Sequence, residues 1–209
     1  YMVDEAISLL KKTGNTKFKE SIDVAINLGI DPKQTEQNVR GSVVLPNGTG
    51  KNMRVIVFAE SVDAEAAKTA GADEVGAEDL AEKIKAGFSD FDIVIATPSS
   101  MKIVGQLGQI LGPKGMMPNP KDGTVTKNIK EAVTNAKKGQ AMFRNDKGGV
   151  LHCSIGRVEF TEESIKENLL SLITQVNKSK PSSAKGIFIK KITLSSTMGP
   201  GIHVEESSI

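Results

Sequence analysis

The runs VIVF (Val55–Phe58) and IVIA (Ile93–Ala96) are short, uninterrupted and wholly apolar. Strands of this kind are typical of a parallel sheet, because helices cover both of its faces. Apolar residues at helical spacing predict helices over residues 64–70, 80–86, 103–111 and 129–138. Strands that alternate with helices at this spacing predict a small parallel sheet with right-handed crossovers.

The flanking segments follow another pattern, in which apolar residues alternate with polar ones as in half-buried strands. Such strands are predicted over residues 18–28, 39–45, 142–144, 150–158, 187–194 and 202–204, with amphipathic helices over 3–12 and 164–177. Each flank alone is small for a domain, whereas the two together would make an ordinary one. The predicted fold class is therefore α/β: an α+β outer domain from residues 1–48 and 140–209, with an α/β domain inserted at 49–139.

Composition excludes several classes of protein. The 209 residues are 38% hydrophobic and 25% charged, which is ordinary globular usage and argues against wholesale disorder. No apolar run approaches the roughly 18 residues of a membrane span, and Asp4 and Glu5 interrupt the first apolar stretch. We therefore expect a protein inside the cell, without a signal peptide or a membrane partner. One cysteine and two histidines cannot form a disulfide or a Cys/His zinc site.

Charge is unevenly distributed although the net charge is only +2. Residues 60–92 hold ten acidic side chains against three lysines, whereas residues 102–157 hold ten basic side chains against three acidic ones. Residues 11–19 and 178–191 add four and five lysines. Such separation indicates faces suited to a polyanion, although a solvated surface is the commoner meaning of any single run.

Motifs of catalysis are incomplete. The segment Gly48-Thr49-Gly50-Lys51 is similar to a phosphate-binding loop, but Asn52 stands where that pattern needs Ser or Thr, and a strand follows instead of a helix. The adjacent His152 and Cys153 point to opposite faces of a strand, so they cannot act together as base and nucleophile. We expect a buried structural thiol at Cys153, no cofactor and no enzymatic activity.

Several segments together resemble one family of proteins, in the same order along essentially the whole chain. They are GPKGMMPNPK (112–121), KFKES (17–21), STMGP (196–200), NVRG (38–41) and FRNDK (143–147). On these motifs the chain is identified as a member of the family of the first protein of the large ribosomal subunit, the L-one family, of bacterial type.

The resemblance implies a two-lobed ribosomal protein that binds large-subunit ribosomal RNA and forms part of the mobile stalk near the tRNA exit site. It implies a Rossmann-like three-layer inserted domain without enzymatic activity. Further partners implied by the family are the leader of the protein's own messenger RNA, which it represses, and exit-site tRNA. We expect a monomer away from the ribosome, in a cytoplasm or on an organellar ribosome.

The chemistry of the two terminal segments supports RNA binding. Lysines can neutralise phosphates, an aromatic ring can pack on a base or ribose, and a hydroxyl can bond to a ribose 2′-OH. The predicted RNA-binding residues are Lys17, Phe18, Lys19, Ser21, Asp146, Lys147, Lys185, Thr197, Met198 and Gly199. Alternatively, Phe18 is only the first core residue of its strand, and residues 197–199 form only a turn before Pro200.

Two other functions stay open on the sequence alone. One is a nucleotide-dependent enzyme built on the inserted domain, which would bind ATP or NAD tightly. The other is a non-ribosomal relative that has kept the architecture but binds other partners.

Overall fold

The computed structural model describes residues 1–14 and 16–205, apart from the side chains of Ser61 and Val62. The chain divides into two compact units: Tyr1–Gly50 with Gln140–Ile209, and Lys51–Gly139. We call them the discontinuous unit and the inserted unit. Mixed α and β structure, with both antiparallel and parallel pairing, confirms the predicted fold class.

The discontinuous unit is a six-stranded antiparallel sheet with helices on one face. Its elements are α1 (Val3–Thr13), β1 (Ser21–Leu28), β2 (Arg40–Val44), β6 (Gln140–Asn145), β7 (Val150–Arg157), α7 (Glu162–Lys178), β8 (Ile189–Ser196) and β9 (Ile202–Val204). The strand order is β2-β6-β7-β1-β8-β9. Helices α1 and α7 share a core with alternate strand residues such as Ile22 and Leu194, so one face of the sheet is packed.

Strand register determines which loops meet at each end of this sheet. In β1, Ser21 pairs with Arg157 of β7, and Ile22 pairs with Ser196 of β8. The start of β1 therefore lies beside the last residues of β7 and β8. From Ser21 to Asn27 the strand rises about 20 Å, which separates the two ends of the sheet.

The inserted unit is a three-layer α/β structure. Its elements are β3 (Val55–Phe58), α2 (Ser61–Thr69), β4 (Glu74–Gly76), α3 (Glu78–Lys85), β5 (Ile93–Ala96), α4 (Met101–Gln106), α5 (Gly108–Leu111) and α6 (Ile129–Gly139). The strands pair in parallel in the order β4-β3-β5. Helices α2 and α6 pack on one face, and α3, α4 and α5 pack on the other. All four residues of β3 and of β5 are buried, as their apolar composition predicted.

Most element boundaries differ from the prediction by a few residues, and two differences change the local structure. Strand β1 begins at Ser21, because the segment before it bends and the hydroxyl of Thr16 donates to the carbonyl of Phe18 at 3.0 Å. The helix predicted over residues 103–111 is divided at Leu107, between Gly105 and Gly108, two residues of low helix propensity. In addition, residues Glu74–Gly76 form a third strand of the parallel sheet, β4, which pairs with β3.

Cys153 is buried in the core of the discontinuous unit, as expected. Burial raises the pKa of its thiol to about 12, and the carboxylate of Asp23 adds to the effect. The reactive thiolate is therefore scarce at neutral pH. We expect a maleimide reagent to label Cys153 only as fast as the protein opens, and rapidly in denaturant. Immediate stoichiometric labelling of the folded protein would contradict this account.

Candidate nucleic-acid interface

The two terminal segments meet at Ser21 and Thr197. The backbone N–H of Ser21 donates to the Thr197 hydroxyl at 3.1 Å, and the two hydroxyls lie 3.1 Å apart. The Thr197 hydroxyl also lies 3.5 Å from the carbonyl oxygen of Ser21. Seven of the predicted residues thus form one surface, which we call the terminal surface. Its members are Lys17, Phe18, Lys19, Ser21, Thr197, Met198 and Gly199.

Two large apolar side chains stand exposed on this surface. Phe18 is 55% exposed and Met198 is 73% exposed. The alternative in which Phe18 is the first core residue of its strand is therefore wrong, since the strand begins three residues later. Exposed aromatic and methionine side chains beside lysines offer stacking and adaptable apolar contact to an unpaired nucleotide.

A buried acid that the sequence analysis missed holds the terminal surface together. Glu20 is only 4% exposed, and its Oε1 accepts the backbone N–H of Met198 at 3.0 Å and the Ser196 hydroxyl at 3.3 Å. The signal was present in the alternation: Glu20 occupies the same phase as the buried Ile22 and Val24. A carboxylate in a core-facing position is expected to have hydrogen-bonding partners.

The two lysines of this surface differ in their partners. Lys19 Nζ lies 2.8 Å from a carboxylate oxygen of Glu159, and both side chains are largely exposed. Lys17 has no ion pair within the part of the chain that the structure describes, so its charge is available to a phosphate. Because Glu159 already neutralises Lys19, Lys17 is the better suited of the two lysines to a phosphate.

The backbone of Gly199 lies too close to the Ser196 side chain for any residue other than glycine. A Cβ atom at this position would lie 2.4 Å from Oγ of Ser196, which is closer than real Cβ contacts come. The absence of a side chain also lets a ligand approach the backbone of the 197–199 turn. The prediction that this segment turns before Pro200 is compatible with its place in the terminal surface, because the turn carries the exposed Met198.

Asp146, Lys147 and Lys185 lie away from the terminal surface, and we call them the far-end group. Asp146 and Lys147 belong to the turn before β7, whose Val150 pairs with Asn27 near the end of β1. Lys185 precedes β8, whose Ile189 pairs with Leu28. This end of β1 is about 20 Å from Ser21, so the predicted residues form two groups and not one.

The carboxylate of Asp146 is engaged in its own turn. Its Oδ1 accepts the backbone N–H groups of Gly148 and Val150, each at 2.8 Å. The bond from Val150 is the largest influence on the pKa of Asp146, which lies below its ordinary value. These bonds give Asp146 a structural role in its own turn. Lys147 and Lys185 are therefore the members of the far-end group that are suited to phosphate.

The other candidate chemistries find little support in the structure. Gly48 and Gly50 both have positive φ, and a Cβ at Gly50 would press on Phe160 and Arg157, so this loop packs against its own unit. Within residues 1–14 and 16–205, no group of three His, Cys, Asp or Glu side chains could hold a metal ion. The same residues contain no helix long and apolar enough to cross a membrane.

The fold and the terminal surface define a class: a two-unit α/β protein in which two distant chain segments jointly build a lysine-bearing surface. Residues 10–200 match the model of the Ribosomal protein L1p/L10e family, and the chain belongs to that family. The predicted family resemblance, of bacterial type, is confirmed. Because this is a family of ribosomal proteins, the expectation of no enzymatic activity is confirmed as well, and the nucleotide-dependent enzyme is wrong.

Several bacterial proteins are similar to this chain over its whole length. It is 60% identical over 209 residues to the large ribosomal subunit protein uL1 of Haemophilus ducreyi, of which it covers 91%. It is 58% identical to proteins of the same name from Actinobacillus succinogenes and Proteus mirabilis, of which it covers 91% and 90%.

Proposed function

We propose that this chain is a structural protein of the large ribosomal subunit and binds a folded element of the subunit's RNA through the terminal surface. One observation carries the proposal: the bonds between Ser21 and Thr197 join the two segments that bear the exposed Phe18 and Met198. The names of the bacterial relatives support the assignment to the large subunit.

RNA recognition at this surface combines three kinds of contact. Phe18 stacks on a base or ribose, and Lys17 neutralises a phosphate. The Thr197 hydroxyl, held in place by Ser21, bonds to a ribose or phosphate oxygen. All three report the shape of the backbone more than the identity of bases, so we propose recognition of a folded RNA element with few base-specific contacts.

The far-end group adds a second contact in this proposal. The face of the sheet that α1 and α7 leave open carries exposed polar side chains toward its far end, among them Asn27, His152 and Lys191. An RNA element lying along this face reaches both Lys17 and the far-end lysines, Lys147 and Lys185. The phosphate contacts are then spread over about 20 Å, as shape recognition requires.

The finer role follows the family resemblance. We propose that the chain belongs to the mobile stalk near the tRNA exit site and contacts exit-site tRNA there. We further propose that it represses translation by binding its own messenger RNA leader at the same surface, and that it is a monomer away from the ribosome. Its place of action is the bacterial cytoplasm, in keeping with the bacterial relatives.

Co-sedimentation with bacterial large ribosomal subunits tests the ribosomal assignment directly. The purified chain is expected to sediment with subunits from which the endogenous protein has been removed, at one copy per subunit. Absence from the subunit fraction at low and at physiological salt would favour a non-ribosomal relative that binds other partners.

The salt dependence of RNA binding tests the phosphate contacts. Affinity for a stalk RNA fragment should fall steeply as salt rises, because neutralised phosphates release counterions. Lys17→Ala is expected to reduce the slope of log affinity against log salt by about 1, the value for one phosphate contact. Lys83→Ala on α3 of the inserted unit serves as the control and should leave the slope unchanged. Equal slopes for wild type and Lys17→Ala would remove Lys17 from the interface.

A further inference from the structure

We propose that Glu20 is a positioning residue for RNA binding: its buried carboxylate fixes the turn at residues 197–199 before the RNA arrives, without touching the RNA itself. This inference rests on the proposed RNA binding by the terminal surface and adds the cause of that surface's preformed shape. A binding surface that is already ordered in the free protein loses less conformational freedom when its ligand binds.

The turn at residues 197–199 has little apolar packing to keep it in place. Thr197, Met198 and the following Pro200 are exposed, and the Met198 side chain is 73% exposed. Exposed turns with few buried apolar groups are ordinarily among the first parts of a fold to open. The order of this turn in the free protein therefore depends on its hydrogen bonds.

Two hydrogen bonds join the turn to the start of β1. The backbone N–H of Ser21 donates to the Thr197 hydroxyl at 3.1 Å. The backbone N–H of Met198 donates to Oε1 of Glu20 at 3.0 Å. Only the second bond has a charged acceptor, and charge-assisted hydrogen bonds are roughly twice as strong as neutral ones. Glu20 is therefore the stronger of the two anchors.

The carboxylate of Glu20 in turn depends on the docked turn. Glu20 is 4% exposed and has the core-facing phase of β1. A buried carboxylate is costly unless hydrogen-bond donors surround it. Oε1 takes donors from the Met198 backbone and from the Ser196 hydroxyl, at 3.0 and 3.3 Å. Undocking the turn would withdraw the Met198 donor from a buried charge, so the charge favours the docked arrangement.

Ser196 extends the same control to Gly199. The Ser196 hydroxyl that donates to Glu20 lies 2.4 Å from the position that a Cβ of Gly199 would occupy. The backbone N–H of Gly199 donates to the Ser196 carbonyl at 3.3 Å. The rotamer of Ser196 that reaches Glu20 thus leaves room only for glycine at position 199. The path of the turn is fitted to the carboxylate at both Met198 and Gly199.

The docked turn presents two of the proposed RNA contacts together. It holds the Thr197 hydroxyl beside Ser21 and leaves the Met198 side chain in solvent. When only a fraction of the molecules has a binding-competent surface, the apparent affinity falls by that fraction. Glu20 therefore acts on RNA affinity through the population of the docked turn.

Glu20→Met tests the role of the carboxylate. Methionine fills the core-facing position with a chain of similar length but offers the Met198 N–H only a weak acceptor. We expect the docked turn to fall to about one tenth of the population, and the affinity for a stalk RNA fragment to fall about tenfold. Amide hydrogen exchange should show that the Met198 N–H has lost its protection, whereas the N–H of Val24 in β1 stays protected.

Glu20→Gln is the matched conservative variant. Its amide oxygen can accept the same two bonds from Met198 and Ser196, so the turn stays docked. We expect a protected Met198 N–H and an affinity within about threefold of wild type, a small free-energy change. This rescue distinguishes an acceptor that positions the turn from a side chain that only fills the core.

Two further variants separate positioning from direct contact. Ser196→Ala removes one of the two donors to Oε1, so both its RNA affinity and its Met198 protection should lie between those of wild type and Glu20→Met. It also carries the test where Glu20→Met does not fold. Lys17→Ala should lower affinity while leaving the exchange of the Met198 N–H unchanged, because Lys17 is proposed to bind a phosphate directly.

Three results would overturn the positioning role while leaving RNA binding intact. They are wild-type affinity in a variant whose Met198 N–H has lost protection, lower affinity in Glu20→Met without loss of that protection, and equal loss of affinity in Glu20→Gln and Glu20→Met. Failure of the wild-type chain to bind the RNA fragment at all would instead contradict the proposed function.

Discussion

Replacing Phe58 with alanine is expected to lower the free energy of unfolding of the inserted unit by about 3–5 kcal/mol, the range for truncating a buried phenylalanine. Phe58 is fully buried in the central strand β3 of the parallel sheet. It packs in the core formed with α3 and α4, which includes Leu80, Ile84 and Phe91. The large cost arises because the surrounding side chains cannot collapse fully into the space left behind. Equilibrium denaturation in guanidinium, followed by circular dichroism, measures the change.

The variant also tests whether RNA affinity depends on the discontinuous unit alone. The cores of the discontinuous and inserted units share no residues, and the terminal surface lies in the discontinuous unit. Phe58→Ala should therefore leave RNA affinity within about twofold wherever both units remain folded, a small free-energy change. Ile187→Ala, which removes an apolar side chain that is 73% exposed, should change stability by less than about 0.5 kcal/mol. Equal destabilisation by the two substitutions would contradict the assigned core.

The uninterrupted apolar runs allowed the inserted unit to be predicted closely from the sequence. Strands β3 and β5 begin and end where VIVF and IVIA do. A strand covered on both faces is apolar at every position, so the extent of the apolar run indicates the extent of the strand. The glycines around Leu107 were harder to interpret. Glycines weaken a helix, but they do not predict whether the helix bends or ends at that point. In the structure the segment is divided into α4 and α5.

The start of β1 shows where local pattern misleads. Alternation alone placed the strand from Phe18 onward, yet the chain bends there and leaves Phe18 exposed. Alternation did carry information about Glu20, whose phase is that of the buried residues. The partners of its carboxylate could not be inferred, because Met198 and Ser196 lie more than 170 residues away in the chain.

Long-range strand register likewise determines which predicted residues share a surface. Thr197 meets Ser21 because β8 pairs antiparallel with β1. The same pairing carries Lys185 to the opposite end of the sheet, and pairing of β7 does so for Lys147. Motif chemistry identifies residue types suited to RNA, whereas their distribution between two ends depends on pairings that no local segment encodes.

Removing the ring and the hydroxyl of the terminal surface together is expected to produce the largest loss of RNA affinity. Phe18→Ala removes a stacking contact, and Thr197→Val keeps the shape of the side chain but removes the hydroxyl. Each change alone is expected to cost about 1–3 kcal/mol. Because the two residues belong to one surface, their effects are not fully additive, and we expect a combined cost of about 2–4 kcal/mol, or roughly 30- to 700-fold in affinity.

A matched control is available on helix α7, on the packed side of the sheet. Leu170 is a partly exposed apolar residue there, and the Thr174 hydroxyl donates to the Leu170 carbonyl at 2.8 Å. Leu170→Ala with Thr174→Val therefore removes one partly exposed apolar side chain and one hydroxyl from a surface that is not proposed to bind RNA.

The most direct measurement is the affinity of a bacterial stalk RNA fragment for wild type, for Phe18→Ala/Thr197→Val and for Leu170→Ala/Thr174→Val, at one salt concentration. Thermal unfolding of all three proteins establishes that each is folded at the temperature of the assay. The terminal surface predicts a loss of roughly 30- to 700-fold for the first variant and less than about twofold for the control. Equal affinities of the two double variants would contradict RNA binding by this surface.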